Sequence, residues 1–442
     1  MTKRSYPGDY PGDTHLLLAL TFLQLLILAS IAIEFQDQTV LCSATRFFLD
    51  HWMRDRSNCL SDWNQCLARD RPRLSMECHL MARLARAEVF DPTEVAVVHV
   101  MARTVRRCYL LGFDPISEKD FDHRKFWIEC KLQQLAAHMG IDLLAFTLMS
   151  NHLHLILRSR PDVVASWNDD TVARRWLLLC PLRKIRITQD GISQTVAAEP
   201  NEAELNSIRC NPARLARIRS RLSDISWWMR LLSQHIAQRA NREEGGGLGK
   251  FWQSRFKAVR ILDEATLLAC AAYVDLNPIR AALAETLETS HHTSVQRRIQ
   301  TLVQPNEPQP QDDTTPARDS FLAPVAIDEA MDPVGPHPSQ LSTRCSDKGF
   351  LPMSSVQYLQ LLDWAARQVH PGKRGITPHD HPPILDRLGL DAEMFCQQVR
   401  YFGRMFSAAA GQPRTLCSAR SLRSHRQFYV RPLARKVFAR SG

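Results

Sequence analysis

Residues 149–158 read MSNHLHLILR. On an extended chain successive side chains point to opposite faces, so Leu153, Leu155 and Leu157 share one face. His152, His154, Ile156 and Arg158 share the other. The leucine face has to be covered, and HRKFWIECKLQQLAAHMG at 123–140 is a suitable cover. Its apolar residues recur at helical spacing, and Gly140 stands where a C-terminal cap belongs. The histidine face is the harder constraint, because a polar ring is costly to bury without a partner.

The surrounding pattern sets the fold class. VAVVHVMARTVRRCYLL (95–111) is valine-rich and alternates, which predicts a strand that enters a turn and continues. FDPISEKD carries turn residues, and IDLLAFTLMSNHLHLILRSR (141–160) reads as one long strand or two, broken near Met149–Asn151. Strand, helix, strand in that order gives an α+β or α/β sandwich with helices over a sheet. Residues 161–220 begin as a helix, become polar and irregular over 183–200, and read as an insertion of loops and helices.

LSDISWWMRLLSQHIAQRANREE (222–244) is an amphipathic helix that runs into GGGLG. FWQSRFKAVRI (251–261) is a short basic and aromatic strand. DEATLLACAAYVDLNPIRAAL (263–283) is a second helix, with Asp263 as N-cap, Glu264 in its first turn and its end near Pro278. Proline, glutamine and aspartate crowd 301–345, which reads as an extended linker, and 346–442 reads as a small helical accessory domain with a basic tail.

The first 80 residues stand apart. THLLLALTFLQLLILASIAI (14–33) follows Lys3 and Arg4 and is long enough to span a bilayer. Residues 34–80 lack periodicity, so an over-extended start, with the working protein beginning near Met81, is the expectation; a membrane anchor is the alternative. The 12 cysteines are scattered with no C-x-x-C pair, so no structural zinc site is signalled. They read as reduced thiols of a cytoplasmic protein. Lys and Arg number 56 against 46 Asp and Glu, a net charge of +10, which points weakly to a polyanionic partner.

Three stretches carry candidate chemistry. His152 and His154 stand two apart on one strand face, the spacing at which two imidazoles converge on one divalent ion; a half-exposed strand with a polar face reads the same way. In AAYVDLNPIRAAL, Tyr273 and Asn277 stand four apart on a helix and share its face. A phenol is a nucleophile, and the Asn277 amide is placed to ligate a metal or hold a water, although a helical tyrosine is commonly core. Finally, GKFWQSRFK sets Arg255 and Lys257 beside Trp252 and Phe256, while ARTVRR adds Arg103, Arg106 and Arg107 on the first strand. With Arg158 they form a set able to contact phosphates and stack bases; a solvated basic edge is the plainer reading.

Together these motifs resemble the single-tyrosine HUH transposases of insertion-sequence type, and especially the REP-associated tyrosine transposases. The resemblance rests on MSNHLHLIL, MRLLSQHIAQRANR with GKFWQSRFK, and YVDLNPIRA in that order, and covers residues 81–295. It implies a ferredoxin-like α+β sandwich around a central antiparallel sheet, often used as a dimer. His152 and His154 would bind Mg²⁺ or Mn²⁺, with Asn277 in the third ligand position. Tyr273 would attack a phosphate of single-stranded DNA, hairpin or palindromic, forming a 5′-phosphotyrosine bond and releasing a 3′-hydroxyl for strand transfer. The long 161–220 insertion and the region beyond 345 depart from that family's core. They leave open a domesticated or catalytically silent protein that grips DNA hairpins.

Overall fold

Five strands form the central sheet: β1 (Val97–Arg103), β2 (Ile141–Leu148), β3 (His152–Ser159), β4 (Lys257–Ile261) and β5 (Ala409–Ala410), ordered β2-β3-β1-β4-β5. The first three pairings are antiparallel and the last is parallel. The computed structural model describes residues 89–189, 192–246, 249–303, 317–328, 335–368, 391–421 and 431–438. The run 14–33 lies outside them, and no helix among the described residues is long and apolar enough to cross a membrane.

Period-two alternation decides what each face of the sheet carries. Val98, Val100, Ala102, Leu153, Leu155 and Leu157 are buried on one side. Over them lie α1 (His123–His138), α2 (Asp169–Leu179), α3 (Pro212–Leu222) and α4 (Ile225–Glu243). Each fully buried leucine there contributes about 1.5–3 kcal/mol. α1 is fastened to the end of α4 through Arg124, which is fully buried and donates to Glu243 and Glu244. The elements from β1 to β4 therefore run β-α-β-β-α-β, with helices and loops inserted before the second helix.

The other face carries His99, His154 and Ile156 and is covered by α5 (Glu264–Asp275). α7 (Ser355–Gln368) and α8 (Ala392–Met405) belong to the same core. The molecule is α+β, with a mostly antiparallel sheet buried on both faces.

Several expectations need correction. The first strand stops at Arg103; Arg106 and Arg107 lie in a tight turn with φ of 50° and 62°, so they are not strand residues. Gly140 is not a left-handed cap, since α1 is capped by extended Met139. It is glycine because a Cβ there would stand 2.0 Å from Val164 Cγ2. The polar stretch within the insertion forms a hairpin, Lys184–Gln189 against Ile192–Ala197. Its signal was Asp190-Gly191, the pair that suits a two-residue turn.

Described residues of the stretches expected as linker and accessory region also join the core. Residues 294–303 form a helix, α6 (Ser294–Val303). Ala323 N–H donates to Leu143 O along the edge strand β2. Residues 83–442 make one compact unit. The physical reason is that β2 and α5 present surface that β1–β4 alone cannot bury.

Arg158 is likewise not a free phosphate ligand. Buried Asp142 accepts from Arg158 Nε at 2.8 Å and Arg160 Nη1 at 3.2 Å, and from Ser346 Oγ at 2.7 Å. Arg158 also donates to the carbonyls of Gly349 and Lys348. The two guanidinium charges hold the Asp142 carboxyl below its usual range against the opposing cost of burial. Asp142→Ala leaves the buried Arg158 without a carboxylate, while Arg160 keeps Asp162, and is expected to cost about 3–5 kcal/mol in denaturant unfolding; an unchanged midpoint would contradict this network.

Candidate functional site

The site is assembled from β1, β3 and α5. His99 of β1 and His154 of β3 are diagonal neighbours, since His99 pairs with Ile156 and Met101 with His154. Their rings are near parallel at 6°, and His99 Nε2 lies 2.9 Å from His154 Nδ1, so one donates to the other. Both are buried. Burial drives His99 down to about 4 and His154 well below its ordinary value, with neighbouring imidazoles and Arg103 adding to the second. Each is therefore a neutral imidazole at neutral pH.

His152 stands at the open end of β3, opposite Arg103 in register. Its Nδ1 lies 2.7 Å from Asn151 Oδ1, and burial lowers its pKa to about 4. With the Nδ1 atoms of His152 and His154 each engaged, both Nε2 atoms remain as donors for a ligand. The two ring centroids are 5.0 Å apart. Two neutral imidazoles, each steadied through its other nitrogen, are a donor set that fits a divalent ion. Among the described residues no group of three His, Cys, Asp or Glu could complete such a site.

α5 brings Tyr273 over this pair. Asp263 caps its start by accepting from Thr266 N–H at 2.8 Å, as the sequence pattern anticipates. Its far end is held by Thr147 Oγ1, which donates to Val274 O at 2.5 Å. Asp275 faces away from the histidines and accepts from Ser294 Oγ at 2.5 Å and Tyr358 Oη at 2.7 Å. These anchors present the Tyr273 ring edge-on to His154 at 5.4 Å and to His99 at 5.8 Å.

Burial raises the Tyr273 phenol above its usual pKa, opposed by the nearby Asn277 amide and by the charges of Arg280 and Arg103. Asn277 opens a separate short helix, Asn277–Arg280, rather than continuing α5. It still lies close to the phenol, and its Nδ2 is buried without a partner among the described residues. An unfilled amide beside a phenol is compatible with a further polar ligand here.

The remaining candidates divide. Arg103 is half-buried, its Nε unpartnered among the described residues, and burial lowers its pKa, with the charge of Arg107 adding to the effect. The stretch from Phe251 runs beside the end of β1, where Val105 N–H donates to Phe251 O and Gln253 N–H to Arg103 O. Arg106, Arg107, Arg255 and Lys257 are exposed, and with Arg103 they ring the end of the sheet that carries His152. Trp252 is half-buried and its indole N–H donates to Ser233 O at 2.9 Å, so its ring is held by α4. Arg158 lies outside the group, its guanidinium bound to Asp142.

Two features escaped sequence reasoning. His99 could have been found in VAVVHV, where period two puts it opposite the buried face of Val98 and Val100. The second is the cover over Tyr273. Phe402 of α8 stacks on it at 5.6 Å and 26°, a Cβ on Gly403 would stand 3.5 Å from its hydroxyl, and Arg280 donates to Val399 O. No short-range pattern links residue 273 to residue 402.

No known protein family matches the chain, and no curated protein matches it. A solved structure described as a REP-associated tyrosine transposase bound to a REP hairpin is similar at 12% identity and a TM-score of 0.26. The similarity covers 46% of this chain and 79% of that one.

The imidazole pair yields a direct check. His99→Ala removes the buried partner of His154 Nδ1 and is expected to destabilise the fold by about 1–3 kcal/mol. Urea unfolding measures it, and a midpoint within error of the parent would rule out the pairing.

Proposed function

We propose that the chain is a metal-dependent, single-tyrosine transferase of single-stranded DNA, with Tyr273 as nucleophile. The observation that carries the reading is the placement of the Tyr273 phenol against two neutral imidazoles from strands more than a hundred residues away. The β-α-β-β-α-β order and the strand order β2-β3-β1-β4 support a ferredoxin-like core for it.

In this reading His152 and His154 would hold Mg²⁺ or Mn²⁺, with Asn277 in the third ligand position. Such an ion would supply charge stabilisation to the phosphoryl oxygens. The Tyr273 hydroxyl attacks phosphorus, the bond from phosphorus to the 3′-oxygen breaks, and the phenolic proton ends on that oxygen. The products are a 5′-phosphotyrosine and a free 3′-hydroxyl. A 3′-hydroxyl from another strand reverses the step and completes strand transfer with no external energy. Arg103, Arg106, Arg107, Arg255 and Lys257 are placed to contact the phosphates of a hairpin or palindromic strand, with Trp252 as an aromatic face beside them.

The cover over Tyr273 favours a second reading: a protein that grips DNA hairpins without turnover. Phe402 and Gly403 stand beside the phenol that a strand has to reach in the first reading.

The two readings separate in one experiment. Purified protein is mixed with single-stranded hairpin DNA from beside its own gene, with Mn²⁺ or with chelator, and resolved under denaturing conditions. The transferase reading expects a covalent adduct with Mn²⁺, none with chelator and none for Tyr273→Phe, while Tyr273→Phe still binds DNA. An adduct formed by Tyr273→Phe would refute the nucleophile, and binding with no adduct from the parent would establish the second reading.

A further inference from the structure

On the leucine side of the sheet, away from Tyr273, a cavity of about 350 Å³ opens between Trp176 of α2 and one face of α3. Arg214, Arg217, Ile218 and Arg221 line it, the spacing that puts four side chains on one helical stripe. α3 reads PARLARIRSRL, four arginines with no acidic residue. Nearby arginines are neutralised: Arg209 pairs with Asp170 and Glu202, and Arg219 with Asp169. Among the described residues Arg214, Arg217 and Arg221 have no carboxylate partner; Arg214 donates only to Ser207.

The aromatic neighbours are arranged around those cations. The Arg221 guanidinium lies 4.3 Å from the Trp227 ring and 5.7 Å from the Trp176 ring, and Arg230 lies 4.7 Å from Trp227 on α4. The two indoles meet edge to face at 5.6 Å. A guanidinium stacked on a ring keeps its N–H edge available for an oxyanion. The positive character continues beyond the cavity. Among the described residues buried Lys131 bonds only to Gln134 Oε1, at 2.7 Å, and burial, with the charge of Lys184 adding to it, brings its amine down to about 8. Like charges gathered this way repel one another, and an entering anion relieves the repulsion.

We propose that this cavity binds single-stranded nucleic acid, with Arg214, Arg217 and Arg221 on a phosphodiester and Trp176 as a stacking face for a base. Cations interleaved with aromatic rings suit a strand that offers phosphates and unpaired bases together; a bare phosphate would leave the indoles unused. The proposal stands independently of the tyrosine chemistry, because the cavity lies on the opposite side of the sheet.

The test is fluorescence anisotropy with a labelled oligothymidylate of roughly 12 nucleotides, which forms no hairpin. Arg217 is exposed and makes no bond that folding depends on, so Arg217→Glu is the primary variant and Arg217→Gln the milder one. Each is checked for parent-like thermal unfolding. Arg217→Glu should weaken binding about tenfold and flatten the salt dependence by about 0.7 for each phosphate the variant no longer neutralises. Arg367→Glu, on the exposed face of α7, should change little. Inorganic phosphate and thymidine monophosphate should compete far more weakly than the oligonucleotide. Parent-like binding by both Arg217 variants overturns the proposal, as does competition by inorganic phosphate equal to that of the strand, which would mark a simple anion site.

Discussion

The hydrogen bond between His99 and His154 makes it possible to bury both faces of one sheet. A sheet with a leucine face needs only one cover, and its second face ordinarily stays wet. Here the second face carries two imidazoles, and each is the other's partner. With His99 Nε2 and His154 Nδ1 satisfied in this way, the rings can lie under α5. α5 then places Tyr273 against them, and α7 and α8 close over α5. Remove the pairing and the helix would sit on an unsatisfied ring nitrogen.

That arrangement also explains why described segments beyond residue 295 pack on the core. β2 is the edge strand next to β3, and its backbone and Asp142 need partners. Ala323, Ser346 and Cys345 supply them, while Arg158 and Arg160 bring the compensating charge from β3 and the residue after it. On the other edge, β5 pairs with β4, and Gln412 N–H donates to the Asp263 side chain at the head of α5. The C-terminal region therefore grips the tyrosine helix at its cap, while Tyr358 grips its end through Asp275.

Much of this was legible in the sequence where short-range periodicity governs. The alternation in MSNHLHLILR separated the two faces of β3, Asp263 announced the start of α5, and the break near Met149–Asn151 is the turn between β2 and β3. What could not be read depends on distant partners. Arg158 sits on the histidine face by alternation, yet residues 348 and 349 cover it and its charge is spent on Asp142. Tyr273 and Asn277 meet as their spacing suggests, although Pro278 divides them between two helices. Phe402 over Tyr273 is a contact across 129 residues, and no propensity reports it. The hairpin at 184–197 is a different case, since Asp190-Gly191 between two alternating runs carried the signal.

The central claim is a neutral, mutually bonded imidazole pair beneath the Tyr273 phenol. The most direct measurement is a pH titration of the histidine ring nitrogens by nitrogen-15 NMR on metal-free protein, with His99→Gln and His154→Gln for assignment. The account predicts that the His99 and His154 rings stay neutral as pH falls from 8 through the ordinary histidine range, with His99 taking its proton only near 4. Titration of either ring near 6.5, the value of a solvated histidine, would contradict it.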